Sequence, residues 1–450
     1  MYQIRTRNSC ARSNPTGLLL FILSLGLLGC TPTTPNSNTS PPVTNTNGNA
    51  VTNSVANSNS NSASTSEVAA SNVPITMPVV DALLSDEEFL DEVKKSVQPS
   101  DEQLDKLKNA ARDSVLKLNE DAGSDDFTRS TKTAISEADK KIKEILGNEN
   151  GAKFLNVARK HWSGGDATAL AKPNEVPTDT RIVVNAPAYR MDVFQDGKLI
   201  KSYKVGIGYP EFPLPTGLRT AKKIVFNPAW TPPDEPWVKG EFQPGKKVEA
   251  GSKNNPLGPI KIPIGLPSLI HGGKAPSRLG TFASHGCVGL TNALVQDFTA
   301  ELTKLSGSPL TPQQIKAYEQ KRSETSEVNL SNPVPVELRY ETIVADDGKL
   351  HIYRDVYEHG TNTEENLERV LQAYGLSMKD LSADEQTKVR DALKKMAIDA
   401  QGQPVDEGDS NKKPSTSSKV TRTIKGAKEV VVDVAALKGK GYPAPVNINL

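Results

Sequence analysis

From Arg181 onward, apolar residues recur at every second position through 181–185, 188–194 and 198–205, and Asp196-Gly197 separates the last two runs. Successive strand side chains point to opposite faces, so this period demands a sheet with a buried face. Asp-Gly between two such runs is a strong hairpin signal. The pattern continues at 221–226, 258–264, 268–270, 334–343 and 349–353, the last after Asp346-Asp347-Gly348. Prolines crowd 209–215, 227–236 and 256–267. Proline has no N–H to give a central ladder, so these stretches read as rigid loops. Residues 178–357 are therefore expected to form a mainly-β, sandwich- or barrel-like domain, with a helix over 291–305.

Helical periodicity flanks this domain. Between 80 and 165, Phe89, Leu90, Val93 and Val97 fall on one helix face, as do Leu104, Leu107, Ala111, Val115 and Leu118. Ile135, Ala138, Ile142, Ile145 and Leu146 follow, stopped by Gly147; Phe154, Leu155, Val157 and Ala158 precede Trp162. Ser85 with Glu88 and Ser100 with Gln103 read as capping boxes. Such a bundle serves as a spacer, or packs on the β domain; a binding module is the sharper reading. Residues 361–398 return to helix, opened by Thr361 with Glu364 and again by Ser382 with Glu385. Residues 399–450 read as linker and a β-like tail. The whole is a multidomain α+β chain.

The N-terminus has a different composition. Arg5, Arg7 and Arg12 precede an apolar run over 17–29, too short to span a bilayer, so 1–29 reads as a signal peptide. Residues 30–75 are almost wholly Ser, Thr, Asn, Pro, Ala and Val, which bury too little to fold and read as a disordered tether.

Only three cysteines occur, Cys10, Cys30 and Cys287. With the first two in the leader and at its end, Cys287 is the one thiol left to the folded part. It lies in Ser284-His285-Gly286-Cys287-Val288-Gly289, downstream of Ile270-His271-Gly272-Gly273. A cysteine attacks as its thiolate, and a neighbouring imidazole can take its proton. Glycines let the backbone approach a substrate and aim N–H groups at one oxygen. A lone cysteine is more often a small buried hydrophobe, but an unpaired thiol in an exported chain points to chemistry.

These residues resemble the L,D-transpeptidase (YkuD-type) catalytic domain. The resemblance rests on His271-Gly272, Gly280 and Ser284-His285-Gly286-Cys287-Val288. Pro213-Leu214-Pro215-Thr216-Gly217, Asn227-Pro228-Ala229-Trp230-Thr231-Pro232-Pro233 and Asn255-Pro256-Leu257-Gly258-Pro259 support it. It implies that Cys287 is the nucleophile, that His271 is the proton donor and acceptor, and that His285 supports the site. Backbone N–H groups of Gly286 and Cys287 would serve the oxyanion. Ser284, Gly272, Tyr209 and Trp230 are candidate substrate contacts, and Phe282 a groove or core residue. The implied substrate is a peptidoglycan stem tetrapeptide, cut at an L-centre carbonyl with release of D-alanine, and carbapenem-type inhibitors are expected to acylate Cys287. Leu27-Leu28-Gly29-Cys30 resembles a lipobox, implying lipidation of Cys30 and anchoring in the cell envelope, on the periplasmic side of the outer membrane in a two-membrane bacterium.

The chain departs from the family in carrying Gly289 where many members have Arg, and Asp297 falls later than the family's helix Asp. Lys274 and Arg278 are the candidates to replace the missing cation. Three alternatives stay open: L,D-carboxypeptidase, protein-to-wall attachment, and a non-catalytic wall-binding lipoprotein. A net charge of +1 and 5% aromatic residues give no basic stripe for nucleic acid. No spacing calls for a metal or cofactor.

Overall fold

The computed structural model describes residues 73–120, 126–127, 130–163, 172–230, 248–249, 252, 255–265, 268–398, 420–421, 424 and 426–448. The leader, Cys30, the tether, much of the linker after 398 and part of the proline-rich stretch beyond Trp230 lie outside them. Among the described residues no helix is long and apolar enough to cross a membrane.

The alternating segments form an eight-stranded sheet in the order Val288–Gly289, Leu269–His271, Ile260–Pro263, Gly217–Phe226, Ser326–Arg339, Arg181–Asn185, Arg190–Gln195 and Lys198–Lys204. Neighbours run antiparallel except at two joins, where Val288–Gly289 lies parallel to Leu269–His271 and Ser326–Arg339 parallel to Arg181–Asn185. Asp196 and Gly197 adopt φ values of 49° and 77° at the hairpin turn, the left-handed pair that a two-residue connection needs. The sheet then closes. Gly206, just past one edge strand, exchanges both backbone hydrogen bonds with Gly289 of the other, each 2.9 Å. A Cβ on Gly206 would lie 2.5 Å from Ala283 Cβ, so only glycine permits this seam. One core fills the closed sheet, with Val184, Met191, Ile224, Ile262, Ile270, Val288 and Val336 wholly buried. The helix Asn292–Leu305, capped by Thr291, covers it with Val295, Phe298 and Leu302.

Several expectations need correction. The strand expected over 334–343 starts earlier, at Ser326, and ends at Arg339; its apolar alternation is interrupted by a register shift between Asn329 and Val334. Ile343–Asp346 and Lys349–Tyr353, expected in the β domain, instead pair with Glu429–Asp433 in a separate three-stranded sheet. Two helices, Glu364–Ala373 and Ala383–Met396, cover that sheet with Leu367, Leu371, Val389 and Leu393. Residues 361–398 and the tail thus share one small core. Ser100–Gln103 and Ser382–Glu385 do form capping boxes. At the other two sites the caps are Asp86 and Thr363, not Ser85 and Thr361.

The helices of 73–163 build a second core, and the anticipated face residues Phe89, Val93, Leu107, Ala138, Ile142, Phe154 and Ala158 fill it. Ala134 takes the buried place expected of Ile135. The helix Met77–Leu83 begins before the expected start near 80; Thr76 caps it and Pro78 sits in its first turn, a standard opening. This bundle packs on the β domain through the proline-rich loop after Gly208. Thr76 Oγ1 donates to the Glu211 carbonyl at 2.6 Å and Thr131 Oγ1 to the Pro210 carbonyl at 2.9 Å. Trp162, 1% exposed, ends the last helix and reaches Gly286, where a Cβ would sit 3.7 Å from Trp162 Cη2.

Trp162→Ala should therefore cost about 3–5 kcal/mol, as for other buried aromatic truncations, and should raise amide hydrogen exchange at 284–288 as well as within the bundle. Thermal melting and hydrogen-exchange mass spectrometry check both; unchanged exchange at 284–288 would contradict the contact's role.

Candidate active site

Cys287 sits at the start of the short strand Val288–Gly289, and His271 ends the strand beside it. Val288 lies level with Ile270 and Gly289 with His271. Val288 and Ile270 belong to the core, so the period of two puts Cys287 and His271 together on the opposite face. Lys261, level with His271 on the next strand and flanked by the core residues Ile260 and Ile262, shares that face.

The loop leading into Cys287 is held from within. Ser284 Oγ accepts the Cys287 N–H at 3.0 Å and donates to the Cys287 carbonyl at 2.5 Å. Gly286 takes φ 78° to let the chain turn between them, a conformation glycine adopts without steric cost. Tyr209 N–H donates to the Ser284 carbonyl at 2.9 Å. Gly208 lies so close that a Cβ there would be 2.0 Å from the Phe212 carbonyl and 3.1 Å from Gly286 N. Tyr357 ties the same loop down, its hydroxyl donating to the Gly208 carbonyl and accepting from Leu214 N–H.

These bonds engage two groups expected to face a substrate. Ser284, expected as a substrate contact, is buried, with its hydroxyl engaged by the Cys287 backbone. The Cys287 N–H, expected to serve the oxyanion, donates to Ser284 Oγ here. Gly286 N–H has no acceptor among the described residues and remains the candidate.

Burial sets the charge state of the pair. It pushes the Cys287 thiol above its ordinary value, against the opposing pull of the Leu269 backbone and of Lys274 and Lys261. His271, 3% exposed, is pushed down to about 3, first by burial and then by the Lys274 charge, while the Gly272 and Leu257 carbonyls oppose the shift. The resting pair is a neutral thiol and a neutral imidazole. His271 Nδ1 lies 2.7 Å from the Gly272 carbonyl; donation there leaves the lone pair on Nε2. No hydrogen bond joins His271 to Cys287; the thiol's acceptor is the His285 carbonyl at 3.9 Å. Such bonds are commonly long before substrate binds.

His285 stands exposed on the loop, gripped edge-on by Tyr209 and Phe212 at ring-centroid distances of 5.1 and 4.9 Å. Tyr209 is itself buried, its hydroxyl accepting from Arg278 at 3.3 Å. Gly272 serves through its carbonyl, on His271. Trp230 forms a two-bond backbone bridge with Val248. Phe282 is core, stacked on Tyr357. Asp297 accepts from Lys201 and Tyr203, both at 2.7 Å.

Lys261 was missed by sequence reasoning, although the alternation Ile260-Lys261-Ile262 already assigns it to the face opposite the core. Lys274, a candidate from the sequence, lies against Gly289. The buried neutral state of His271 has a consequence for stability. Its unfolded form gains a proton near pH 6.5 while the folded form resists protonation down to about 3, so between these values the unfolded state binds more protons and stability falls with acidification. His271→Asn should make the decline between pH 6.5 and 3 shallower in urea titrations; an unchanged slope would contradict the assigned state.

A family model described as YkuD, the L,D-transpeptidase catalytic domain, matches residues 179–311. No curated protein matches the chain. Among solved structures, the Ldtfm–avibactam carbamoyl enzyme is 18% identical over 36% of this chain and 49% of its own, with a TM-score of 0.22. The catalytic domain of the E. faecium L,D-transpeptidase, determined by NMR, is 16% identical over 37% of this chain and 100% of its own, TM-score 0.22. The L,D-transpeptidase from Mycobacterium smegmatis is 17% identical over 36% and 58%, TM-score 0.22. The chain thus spans about half the length of the first of these, 49%.

Proposed function

We propose that this protein is a peptidoglycan L,D-transpeptidase, a cysteine acyltransferase that cross-links stem peptides. The observation that carries the reading is the placement of Cys287 and His271 on one face of adjacent strands, inside the segment that matches the L,D-transpeptidase domain. His271 Nε2 takes the thiol proton as sulfur attacks the L-centre carbonyl of a tetrapeptide. The new C–S bond leaves an oxyanion, which Gly286 N–H faces. Collapse breaks the C–N bond; the imidazolium returns its proton to the leaving D-alanine amine, and a thioester remains on Cys287. The amine of a neighbouring stem then attacks the thioester, His271 again accepts a proton, and the sulfur leaves as thiol. Because the resting pair is neutral, the thiolate is made during attack, not stored beforehand. His285, held by two aromatic edges, orients the loop and the mouth of the site.

Export and lipidation at Cys30 belong to the same proposal. They would hold the enzyme at the envelope, on a tether long enough to reach nearby wall polymer.

The test is intact-mass spectrometry of the mature chain with a carbapenem, and separately with a disaccharide tetrapeptide. The reading predicts a covalent carbapenem adduct on Cys287, D-alanine release with cross-linked product, and loss of all three in Cys287→Ala. A free acid in place of cross-linked product would point to the carboxypeptidase. A folded protein that forms no adduct and releases no D-alanine is not an enzyme of this class.

A further inference from the structure

We infer that Asn292 is a positioning residue for His271, acting through the Gly272–Gly273 peptide: its side-chain oxygen holds that peptide so that the Gly272 carbonyl faces Nδ1 and the imidazole lone pair is left on Nε2. The inference rests on the acyl-transfer reading of Cys287 and names a residue that prepares its base.

The peptide joining Gly272 to Gly273 is engaged at both ends of its amide. Its carbonyl lies 2.7 Å from His271 Nδ1, and its N–H donates to Asn292 Oδ1 at 2.7 Å. One continuous chain of hydrogen bonds therefore runs from the imidazole through the amide to Asn292. An amide that donates at its N–H accepts better at its oxygen, because hydrogen bonds in series polarise one another. The peptides on either side are anchored to neighbouring backbone. Gly272 N–H donates to the Ile260 carbonyl and Lys274 N–H to the Leu290 carbonyl, each at 3.1 Å. The two bonds of the peptide between them go to side chains instead.

That peptide is poorly able to keep its orientation unaided. Glycine on both sides removes the Cβ that would oppose rotation, and Gly273 already stands at φ 80°. Turning the peptide over would present its N–H to Nδ1 and set its carbonyl against Asn292 Oδ1. The first change would draw the imidazole proton to Nε2 and leave no lone pair there for the Cys287 thiol. The second would bring two acceptors face to face. Asn292 thus penalises the arrangement that disables the base.

The surroundings make room for this oxygen. A Cβ at Gly258 would lie 2.7 Å from Asn292 Oδ1, and one at Gly272 3.0 Å from it. A second asparagine folds the turn that supplies Gly258: Asn255 Oδ1 accepts Leu257 N–H at 3.0 Å, and its Nδ2 donates to the Pro228 carbonyl at 2.6 Å. The same turn brings the Leu257 carbonyl to bear on the imidazole. From the other side, Thr291 caps the helix that Asn292 begins. The Asn255-Pro256-Leu257-Gly258-Pro259 segment and the start of the helix after Cys287 therefore converge on one peptide beside His271.

The experiment reads the tautomer of His271 by histidine-selective nitrogen NMR of the mature chain, the signal being assigned by its loss in His271→Gln. Wild type should carry the proton on Nδ1. Asn292→Ala, and Asn292→Ser with a side chain one atom shorter, should shift the population toward Nε2–H. Both should lower kcat for the tetrapeptide donor by about three- to tenfold, the weight of one hydrogen bond, with KM little changed. Asn292→Asp keeps an oxygen at the same position and should restore tautomer and rate. Asn292 is exposed, so these variants leave the core intact, and a thermal melt checks that they do. An Nε2–H tautomer in wild type, truncations that keep the wild-type tautomer, or an equal loss in Asn292→Asp would overturn the inference. The tautomer is read without substrate, so a wild type that turns over no donor counts against the acyl-transfer reading alone.

Discussion

The pair of hydrogen bonds between Gly206 and Gly289 is the constraint on which the site depends. It closes an eight-stranded sheet on itself at its shortest strand, Val288–Gly289. That strand has only two residues, too few to hold a register unaided. Bonded to Leu269–His271 on one side and to Gly206 on the other, it is fixed from both edges. Cys287 is the residue immediately before it, so the seam fixes the height and facing of this thiol relative to His271. The absence of a side chain at 206 permits the seam, and its absence at 289 admits the Lys274 stem.

Around this seam the structure spends many weak contacts on one short loop. Ser284 closes the turn to Cys287, while the segment after Gly208 is fastened by Thr76 and Thr131 from the helical bundle and by Tyr357 from beyond the sheet. None of these bonds is individually large, since a neutral hydrogen bond nets about 1 kcal/mol. Together they hold Phe212 and Tyr209 against His285 and Trp162 against Gly286. The bundle, whose sequence suggests a spacer as readily as a packing partner, thus acts as a wall of the site.

What was legible in the sequence follows from what local pattern can carry. Period-two alternation gave the strands and the hairpin at Asp196-Gly197, and the Ser-His-Gly-Cys run with its upstream His-Gly singled out Cys287 and His271. Alternation says nothing about which sheet a strand joins, so 343–353 was placed with the β domain when its partner, Glu429–Asp433, lies some eighty residues away. The closing seam is equally non-local, and no neighbour of Gly206 announces it. Capping is local but degenerate: Ser85 and Asp86 are both competent, and Ser85 is used instead to donate to the Asp81 carbonyl. The occupation of the Cys287 N–H by Ser284 needed coordinates, because the sequence places both groups in the loop without saying which faces which.

The central claim is that Cys287 carries the acyl group. Rapid-quench mass spectrometry during turnover of a disaccharide tetrapeptide, followed by peptide mapping, tests it most directly. The account predicts a transient species heavier by the donor less D-alanine, mapped to the peptide bearing Cys287 and cleaved by hydroxylamine as a thioester. D-alanine release that proceeds with no covalent species at any quench time, or an adduct on another residue, would contradict it.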